Sequence, residues 1–360
     1  MIKEQLINPK LTILKTKIDQ PEVTVKGNHI DIKIHQKGYW IINGKVIENK
    51  LTANWLNVLA SLLTNKSYTV TQQDNTTVGT NNDYYLHDPN SANSGMMSLI
   101  WLILYGSSPN SPTISDYNLT SPLFETNVVG VYEVESSSGA GIVFYNQFML
   151  QSSQTIYEMG LFFGNNLSSN EAILISHLVF SNGLTIPNNT WIQHGYQLFF
   201  PLPFTIWLVR DIFSNAFKVW EGNYTSGKLP NSHPFVLLTD ITGATFLPGQ
   251  TGQIQGVSLE IGTGTTPATP QDYQLGSPLG SLSGITININ INTTTNAGYL
   301  TISGTYVPSS NVTVGEIGLY GTIYDTSNTL HTVLFLHYVF STPISLTSGT
   351  SYTFTISIVA

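Results

Sequence analysis

The chain has 360 residues, and charged side chains make up only 9% of them, against about 25% in typical soluble domains. The 41% hydrophobic content is enough to bury a core, so the composition excludes a disordered polymer, a collagen, a coiled coil and a basic nucleic-acid-binding protein. The absence of cysteine excludes disulfides and cysteine-based zinc sites or nucleophiles. A surface built from uncharged polar residues is typical of a protein that works in an assembly or outside a cell.

Positive charge is concentrated at the beginning of the chain. Residues 1–50 hold nine lysines and five acidic residues, whereas residues 51–360 hold four basic and sixteen acidic residues. Such asymmetry indicates a separate module or an interaction segment. The alternation at residues 29–35 predicts a strand, and Asn43-Gly44 predicts a hairpin turn. We therefore expect residues 1–50 to be a basic β element that anchors the protein to an acidic partner; the alternative is a small domain with a solvated lysine-bearing surface.

Two helices and a junction are predicted further along the chain. Residues 51–63 carry apolar side chains at helical spacing, with Thr52 or Asn54 available as the N-cap. Residues 210–220 are a weaker counterpart in the second half of the chain. Residues 198–209 form the longest apolar stretch, but two prolines interrupt it, which favours a domain junction over a membrane helix. The chain begins without the apolar segment of a signal peptide, so we expect neither a secretion signal nor a transmembrane span.

Most of the remaining sequence is typical of strands. Residues 285–292 alternate strictly between apolar and polar side chains, and residues 352–358 do the same. Short strands separated by Gly, Pro, Asn and Ser clusters favour sandwiches over βα units. The predicted fold is all-β: tandem jelly-roll-like antiparallel β-sandwiches with one or two small helices per unit, plus the small N-terminal β element.

An internal duplication sets the predicted domain boundaries. Three blocks of the first half recur in the second half in the same order: 106–123 with 262–279, 158–162 with 316–320, and 177–181 with 337–341. The offset grows from 156 to 158 to 160 residues, as loop-length changes between fixed strands would cause. The predicted repeats therefore span residues 51–205 and 206–360. The turn residues that mark the first block of each repeat are Gly106, Asp116, Pro122, Gly262, Asp272 and Pro278.

The second repeat carries a pattern that resembles one in virion and tail-fibre proteins of phages and archaeal viruses. The residues that carry it are Ile261–Pro267, Asp272–Leu275 and Gly315–Tyr320. The helix predicted at residues 51–63 fits this pattern, and the low charge is similar to that of structural proteins of viruses of hot-spring archaea. Over residues 51–360 the tandem plan is most similar to the turret proteins of Sulfolobus turreted icosahedral virus. The first copy departs from the pattern, since Tyr105–Ser108 replaces the Gly-Thr-Gly-Thr run and an Asn-rich loop occupies residues 81–95.

A Glu and a His recur in both repeats and are the main candidates for chemistry. Glu158 and His177 in the first repeat correspond to Glu316 and His337 in the second. Each Glu opens a strand and each His lies in the next one, so the two side chains are predicted to face each other across a hairpin. Such a pair can serve acid–base catalysis or half a metal site. Because catalytic residues are rarely duplicated in every sandwich, we favour a buried structural hydrogen bond.

Other motifs give weaker signals for ligands or catalysis. The glycines of Gly262-Thr263-Gly264 lack the Lys of a phosphate-binding loop and predict a turn between strands. The oxygen-rich loop around Asp74, Asp83 and Asp88 suits a cation but matches no EF-hand spacing, so ordinary Asx turns are favoured. His87, His194 and His233 lack zinc-ligand spacing. A glycosidase would require a carboxylate pair such as Glu133 with Glu135 or Asp116, and surface acids are the simpler interpretation. We expect no catalytic residue, no cofactor and no metal.

Eight Asn-x-Ser/Thr sequons occur in a chain rich in these residues: Asn65, Asn75, Asn118, Asn166, Asn188, Asn223, Asn292 and Asn311. The candidate glycosylation sites among them are Asn118, Asn166, Asn188, Asn223, Asn292 and Asn311.

The sequence and the resemblance together predict a non-enzymatic structural protein on the outer surface of a virion. It would form part of a capsid vertex turret or spike, contact other capsid proteins through residues 1–50 and contribute to host attachment through a surface glycan or pilus. The resemblance implies a ring-like homo-oligomer, with a pentamer suspected, and no binding to nucleic acid is expected. Two alternatives stay open: a trimeric tail-fibre or spike adhesin, and a glycan-degrading enzyme carried on a spike.

Overall fold

The computed structural model describes residues 20–42, 45–64, 66–79, 100–128, 130–164, 172–211, 237–246, 254–325 and 327–360. Several predictions fall outside these residues: the turn at Asn43-Gly44, the candidate ligands Asp83, Asp88, His87 and His233, and the sequons Asn65, Asn166 and Asn223.

The helices and strands follow the predicted division into an N-terminal segment and two repeats. The N-terminal segment contributes β1 (Glu22–Lys26), β2 (His29–His35), β3 (Lys37–Ile42) and β4 (Lys45–Asn49). The first repeat contributes α1 (Ala53–Thr64), β5 (Thr69–Thr71), β6 (Thr77–Gly79), β7 (Ile100–Gly106), β8 (Pro122–Asn127), β9 (Gly130–Ser136), β10 (Gly139–Met149), β11 (Gln154–Gly164), β12 (Ile173–Ile186) and β13 (Trp191–Pro201). The second repeat contributes α2 (Ile206–Asp211), β14 (Leu238–Thr239), β15 (Thr245–Phe246), β16 (Ile254–Gly262), β17 (Pro278–Ser281), β18 (Ser283–Asn292), β19 (Ala297–Tyr306), β20 (Val312–Tyr324), β21 (Leu330–Leu346) and β22 (Tyr352–Val359).

Each repeat is built from two sheets with the same strand order. The first repeat has the order β12-β11-β7-β8 in one sheet and β13-β10-β9 in the other, and the second has β21-β20-β16-β17 and β22-β19-β18. Side chains of the two sheets meet in a buried core; Tyr105 of β7, for example, contacts Phe148 and His194 of the facing sheet. The predicted all-β class is therefore confirmed, whereas a jelly-roll order of strands is not confirmed by these pairings.

The duplication extends to irregularities of the backbone. The pairing of β11 with β12 shifts register between Ile156 and Glu158, and the pairing of β20 with β21 shifts between Val314 and Glu316. These bulges are 158 residues apart, which is the offset seen in this block of the sequence. Because a bulge inserts one residue at a defined point of a ladder, its presence at the same position in both repeats shows that they follow the same path.

The chain enters both repeats through the same contact. Thr52 donates its backbone N–H to Ile175 O and its hydroxyl to Leu174 O, at 2.9 and 2.6 Å. Thr205 makes the matching bonds to Phe335 O and Leu334 O in the second repeat, at 3.0 and 2.5 Å. The Thr52 hydroxyl is thus directed to the neighbouring sheet rather than to the N-terminus of α1.

Both helix predictions need a correction at this point. The second helix begins at Ile206 and not at Arg210, because Thr205 fixes the chain against β21 and the apolar residues that follow form the first helical turn. What the sequence suggested as a junction is therefore partly helix. In α1, the side chain of Asn54 bonds the backbone of Thr71 and does not act as the N-cap.

The N-terminal strands complete one sheet in each repeat. Strand β2 pairs in parallel with β22, and β3 pairs antiparallel with β13, so the order becomes β1-β2-β22-β19-β18 in one sheet and β4-β3-β13-β10-β9 in the other. Ile30, Ile32 and Ile34 are buried in the second repeat, and Trp40 and Ile42 are buried in the first. Residues 22–49 therefore share the cores of both repeats, and their role as an anchor stays a prediction.

The two repeats also touch directly. Leu56 of α1 packs against Gly298 on β19, and the turn before β19 carries Asn296. Asn296 Oδ1 accepts the N–H of Ile114 at 2.5 Å, and its amide group donates to Pro112 O at 3.2 Å. Within the described part of the chain, neither helix is long and apolar enough to cross a membrane.

Candidate functional site

The repeated Glu of each unit is a buried carboxylate that binds backbone amides. Glu158 lies on β11 directly opposite Gly106 of β7, and its side chain has no solvent exposure. Its Oε1 accepts the N–H groups of Ser108 and Ser121 at 3.3 and 2.7 Å, and its Oε2 accepts that of Thr120 at 2.9 Å. All three donors lie in the long β7–β8 connection, so one carboxylate fastens both ends of that loop to the sheet.

The second repeat reproduces this arrangement bond for bond. Glu316 is 1% exposed and lies opposite Gly262. Its Oε1 accepts the N–H groups of Gly264 and Ser277 at 3.0 and 2.7 Å, and its Oε2 accepts that of Gly276 at 3.0 Å. The match holds although the side chains of the donor residues differ, because the donors are backbone groups.

A His links this carboxylate to an Asp in the same loop. In the first repeat, His177 Nε2 lies 3.1 Å from Glu158 Oε2, and its Nδ1 lies 2.6 Å from Asp116 Oδ2. Asp116 in turn accepts the backbone N–H and the hydroxyl of Thr113, at 2.8 and 2.5 Å. The result is a continuous network from a surface turn to the buried carboxylate.

The His of the second repeat is held in the same way. His337 lies 2.9 Å from Glu316 Oε2 and 2.6 Å from Asp272 Oδ2. Asp272 accepts the N–H and hydroxyl of Thr269, at 2.9 and 2.6 Å. We refer to Asp116, His177 and Glu158, and to their counterparts in the second repeat, as the Asp–His–Glu networks.

The geometry requires a charged imidazole in both networks. Each ring nitrogen faces a carboxylate oxygen, and because ionised carboxylates only accept hydrogen bonds, both nitrogens must donate. Burial alone would lower the pKa of His177 and His337, but the hydrogen bonds and charges of the two neighbouring carboxylates raise it above the ordinary value. Burial would raise the pKa of Glu158 and Glu316, yet the imidazole and amide hydrogen bonds bring it below the ordinary value.

Packing leaves little room for a ligand inside either network. A Cβ added to Gly106 or Gly262 would overlap Oε1 of the facing Glu and would lie 2.7 or 2.6 Å from a backbone carbonyl oxygen. The histidines are only 3 and 5% exposed, while the aspartates face solvent with 21 and 23% of their side chains exposed. The networks therefore bind the chain to itself, and the loop they fasten covers a small apolar cluster on the outer face of each sheet.

The structure places the other repeat-signature residues around the same loops. Gly106 and Gly262 end the strands before the loop, and Pro122 and Pro278 begin the strands after it. The structure thus brings all ten sequence-predicted structural residues into two equivalent sites. Sequence reasoning noted Asp116 as a turn residue but missed its bond to His177; its recurrence 156 residues later as Asp272 was the available signal.

The remaining catalytic and metal candidates have structural partners. Asp74 Oδ1 accepts the N–H and hydroxyl of Thr76, which is an Asx turn. Glu133 receives hydrogen bonds from Arg210 at 3.1 to 3.2 Å, while Glu135 is exposed on the same strand. Among the residues that the structure describes, no group of three or more His, Asp or Glu side chains could hold a metal ion.

His194 lies between the two sheets of the first repeat and not in a zinc site. Its Nδ1 is 3.1 Å from the Tyr105 hydroxyl, and burial lowers its pKa to about 4. By strand register, the equivalent position in the second repeat is Phe354, which is fully buried. The first repeat therefore keeps polar groups in its core where the second is apolar.

The described sequons lie at surface positions with different access. Asn75, Asn188, Asn292 and Asn311 are exposed. Asn118 is half-buried, and its amide nitrogen donates to Gln73 O at 3.1 Å. Asn118 also borders an open cavity of 380 Å³ beside Asp116, between the β7–β8 loop and the turn at Asp74. Attachment of a glycan there would require the Gln73 bond to break.

An uncharged aromatic and amide surface lies on the outer face of the first repeat. Because inward residues of β13 alternate with outward ones, Trp191 and Gln193 point away from the core. Trp191 pairs across the strands with Met149, and Gln193 pairs with Gln147. Trp191 is 62% exposed and Met149 46% exposed, and the Tyr145 hydroxyl donates to Gln147 Oε1 at 3.2 Å. We call these five residues the outer ladder.

The second repeat has no aromatic group at the equivalent positions. The register places Thr305 opposite Thr353 where the first repeat has Gln147 opposite Gln193. Val307, Ser351 and Ser303 occupy the positions of Met149, Trp191 and Tyr145. The outer ladder is therefore a feature of the first repeat, built on a framework that both repeats share.

No protein-family model matches the chain, and neither the curated proteins nor the solved structures contain a significant match.

Proposed function

We propose that this protein is a non-enzymatic structural component of a virion, part of a vertex turret or spike that projects two β-sandwiches outward and contributes to host attachment. The observation that carries the proposal is the repetition of the Asp–His–Glu network with its atoms directed to the chain itself. An acid–base site needs a group that can reach a substrate. Here both histidines donate to carboxylates on either side, and the glutamates are occupied by backbone amides.

The surface chemistry supports an assembled protein. A charged fraction of 9% leaves few ionic groups to repel neighbouring copies, so identical subunits can pack side by side. Closed rings are a common outcome of such packing, and the proposed assembly is a ring-like homo-oligomer, with five copies as the first expectation. Residues 1–50 would contact the other capsid proteins through the lysines that β1, β2 and β4 expose.

Cryo-electron microscopy of native particles tests the location. Particles labelled with antibody fragments against the second repeat should show density at projecting vertices. Native mass measurement of the released assembly separates a pentamer from the trimer expected of a tail-fibre adhesin. Particles without label, or a protein found only inside infected cells, would contradict the proposal.

The outer ladder supports the attachment part of the proposal. An exposed indole offers a flat apolar face to a sugar ring, and the neighbouring amides can hydrogen-bond its hydroxyl groups. Because none of its five side chains is charged, the ladder suits a neutral glycan better than an acidic one. The rival glycan-degrading activity is tested with the same sugars: release of new reducing ends that a Glu133→Gln variant abolishes would show an enzyme.

We expect Trp191→Ala to reduce binding to an array of neutral oligosaccharides at least about tenfold, because it removes the stacking surface. The matched control is Ser351→Ala at the equivalent position of the second repeat, which should leave binding unchanged. Equal binding by Trp191→Ala and the unmodified chain would remove the ladder from the attachment model.

A further inference from the structure

Strand β1 lies at an edge of the five-stranded sheet of the second repeat, and no described strand pairs with its outer side. All five of its residues are exposed, which means that neither face is covered by the sandwich. Val23 and Val25 are 39 and 51% exposed, on the same side of the strand. An exposed edge with free backbone groups and apolar side chains is a template for pairing with another strand.

The sequence of β1 is complementary to itself when read in the opposite direction. It runs Glu22-Val23-Thr24-Val25-Lys26, with one acidic residue at its beginning and one basic residue at its end. If two copies align antiparallel about Thr24, Glu22 faces the partner's Lys26 and Val23 faces the partner's Val25. Directly opposed residues point to the same face of a sheet, so both charge pairs lie on one face and both valine pairs on the other.

We propose that two copies of this chain associate by antiparallel pairing of β1 with β1, about a twofold axis at Thr24, to form one continuous sheet. The occupant of the edge is thus a second copy, and the argument for it is charge complementarity. Glu22 already faces Lys33 across its own hairpin, so in the dimer it lies between two lysines. Its side chain is 63% exposed, with His35 Nε2 3.5 Å away, and remains accessible to the partner's Lys26.

Other edges fit a second copy less well. Strand β18, at the opposite edge of the same sheet, carries no charged residue to set a register. Strand β4 has Lys45 and Glu48, but Glu48 is already paired with Lys37 at 2.7 Å and the strand is partly covered. A twofold contact is isologous and joins two chains only, so this contact would link two copies from neighbouring rings or form a simple dimer. The inference does not depend on the virion role.

The test uses sedimentation velocity of the full chain over a concentration series. The unmodified chain should associate reversibly in steps of two. Lys26→Glu places like charges opposite each other at two symmetric positions, and we expect it to weaken that step at least about tenfold. The double variant Glu22→Lys with Lys26→Glu restores opposite charges and should return the dissociation constant to near its original value.

Lys45→Glu on β4 is the matched control, since it changes the net charge equally on the edge of the other sheet. Circular dichroism melting confirms that each variant is folded. A chain that stays monomeric at all concentrations would overturn the proposal. So would an assembly that Lys26→Glu leaves intact, a double variant that fails to restore it, or a stronger effect from Lys45→Glu. Failure of any of these leaves the proposed virion role untouched, because vertex location is measured separately.

Discussion

At the scale of single residues, the two glutamates show how a fold with few charges uses them. A buried carboxylate is costly unless its charge is compensated by hydrogen bonds and an opposite charge. Glu158 and Glu316 each receive three backbone N–H groups and one imidazolium N–H. Because this compensation comes from a loop, the charge converts a long connection into a fixed part of the sandwich.

We therefore expect Glu158→Gln and Glu316→Gln each to lower the free energy of unfolding by about 3 kcal/mol, measured by urea denaturation. The amide nitrogen of Gln donates where backbone N–H groups also donate, and the buried imidazolium loses a counter-charge. Glu125→Gln is the control, since Glu125 is exposed on β8 and its loss should change stability by less than about 0.5 kcal/mol. A control-sized effect at both glutamates would show that the networks contribute little to stability.

The histidines set the pH dependence of stability. His177 and His337 have a pKa above the ordinary 6.5 in the folded chain, so their contribution is complete below pH 6.5 and is lost as pH rises through the raised value. His194 has the opposite sign: its pKa falls to about 4, so the fold loses stability as pH falls from 6.5 towards that value. The networks' carboxylates, with lowered pKa, lose their contribution only at still more acidic pH.

These signs together predict maximal stability near pH 6.5, falling on both sides between about pH 5 and about pH 9, as measured by thermal melting. The variant His177→Gln with His337→Gln should flatten the alkaline side, and His194→Phe, which copies Phe354 of the second repeat, should flatten the acidic side. A profile whose alkaline limb is the same with and without the two histidines contradicts the assigned charge state.

At the scale of elements, the glycines opposite the glutamates allow sheet and loop to approach closely. A Cβ on Gly262 would overlap Oε1 of Glu316 and lie 2.6 Å from Ser277 O, and neither atom can withdraw without breaking a network bond. We expect Gly262→Ala to lower the free energy of unfolding by about 2–3 kcal/mol in urea denaturation. Gly256→Ala on the same strand is the control, because the nearest atom there is Thr322 Oγ1 at 3.9 Å. Equal stability of the two variants would show that the loop yields easily.

Part of this element-scale picture could be predicted from the sequence. The three recurring blocks located the strands and turns of both sites, and apolar–polar alternation located strands such as β18 and β22. The amide donors could not be predicted, because a backbone N–H has no side-chain signature. The bond between Asp116 and His177 joins residues 61 positions apart through a loop whose course no periodicity reports.

The partners of the N-terminal strands were also beyond prediction, for a related reason. Alternation at residues 29–35 indicates which face is buried, but not which sheet the strand joins. The parallel pairing of β2 with β22 spans almost the whole chain. Similarly, apolar residues 206–209 are compatible with a helix or a connection, and only the contact of Thr205 with β21 decides between them.

At the scale of the whole molecule, the repeats are joined by shared strands and by one polar turn. Residues 22–49 lie in the cores of both repeats, so neither core is complete without them. Asn296 adds a second connection, because its side chain accepts from Ile114 and donates to Pro112 of the other repeat. A projecting protein with two sandwiches would keep a fixed orientation between them through such contacts.

The Asn296 connection is tested with Asn296→Gly, since glycine tolerates the positive φ of 52° and only the side-chain bonds are lost. We expect the free energy of unfolding to fall by about 1–2 kcal/mol, and hydrogen exchange to accelerate at Ile114 and Gly298 together. Asn328→Gly is the matched control, because Asn328 has a φ of 61° in an exposed turn of the second repeat. If both variants lose the same stability, the effect belongs to turn conformation, and the shared N-terminal strands alone would hold the repeats in register.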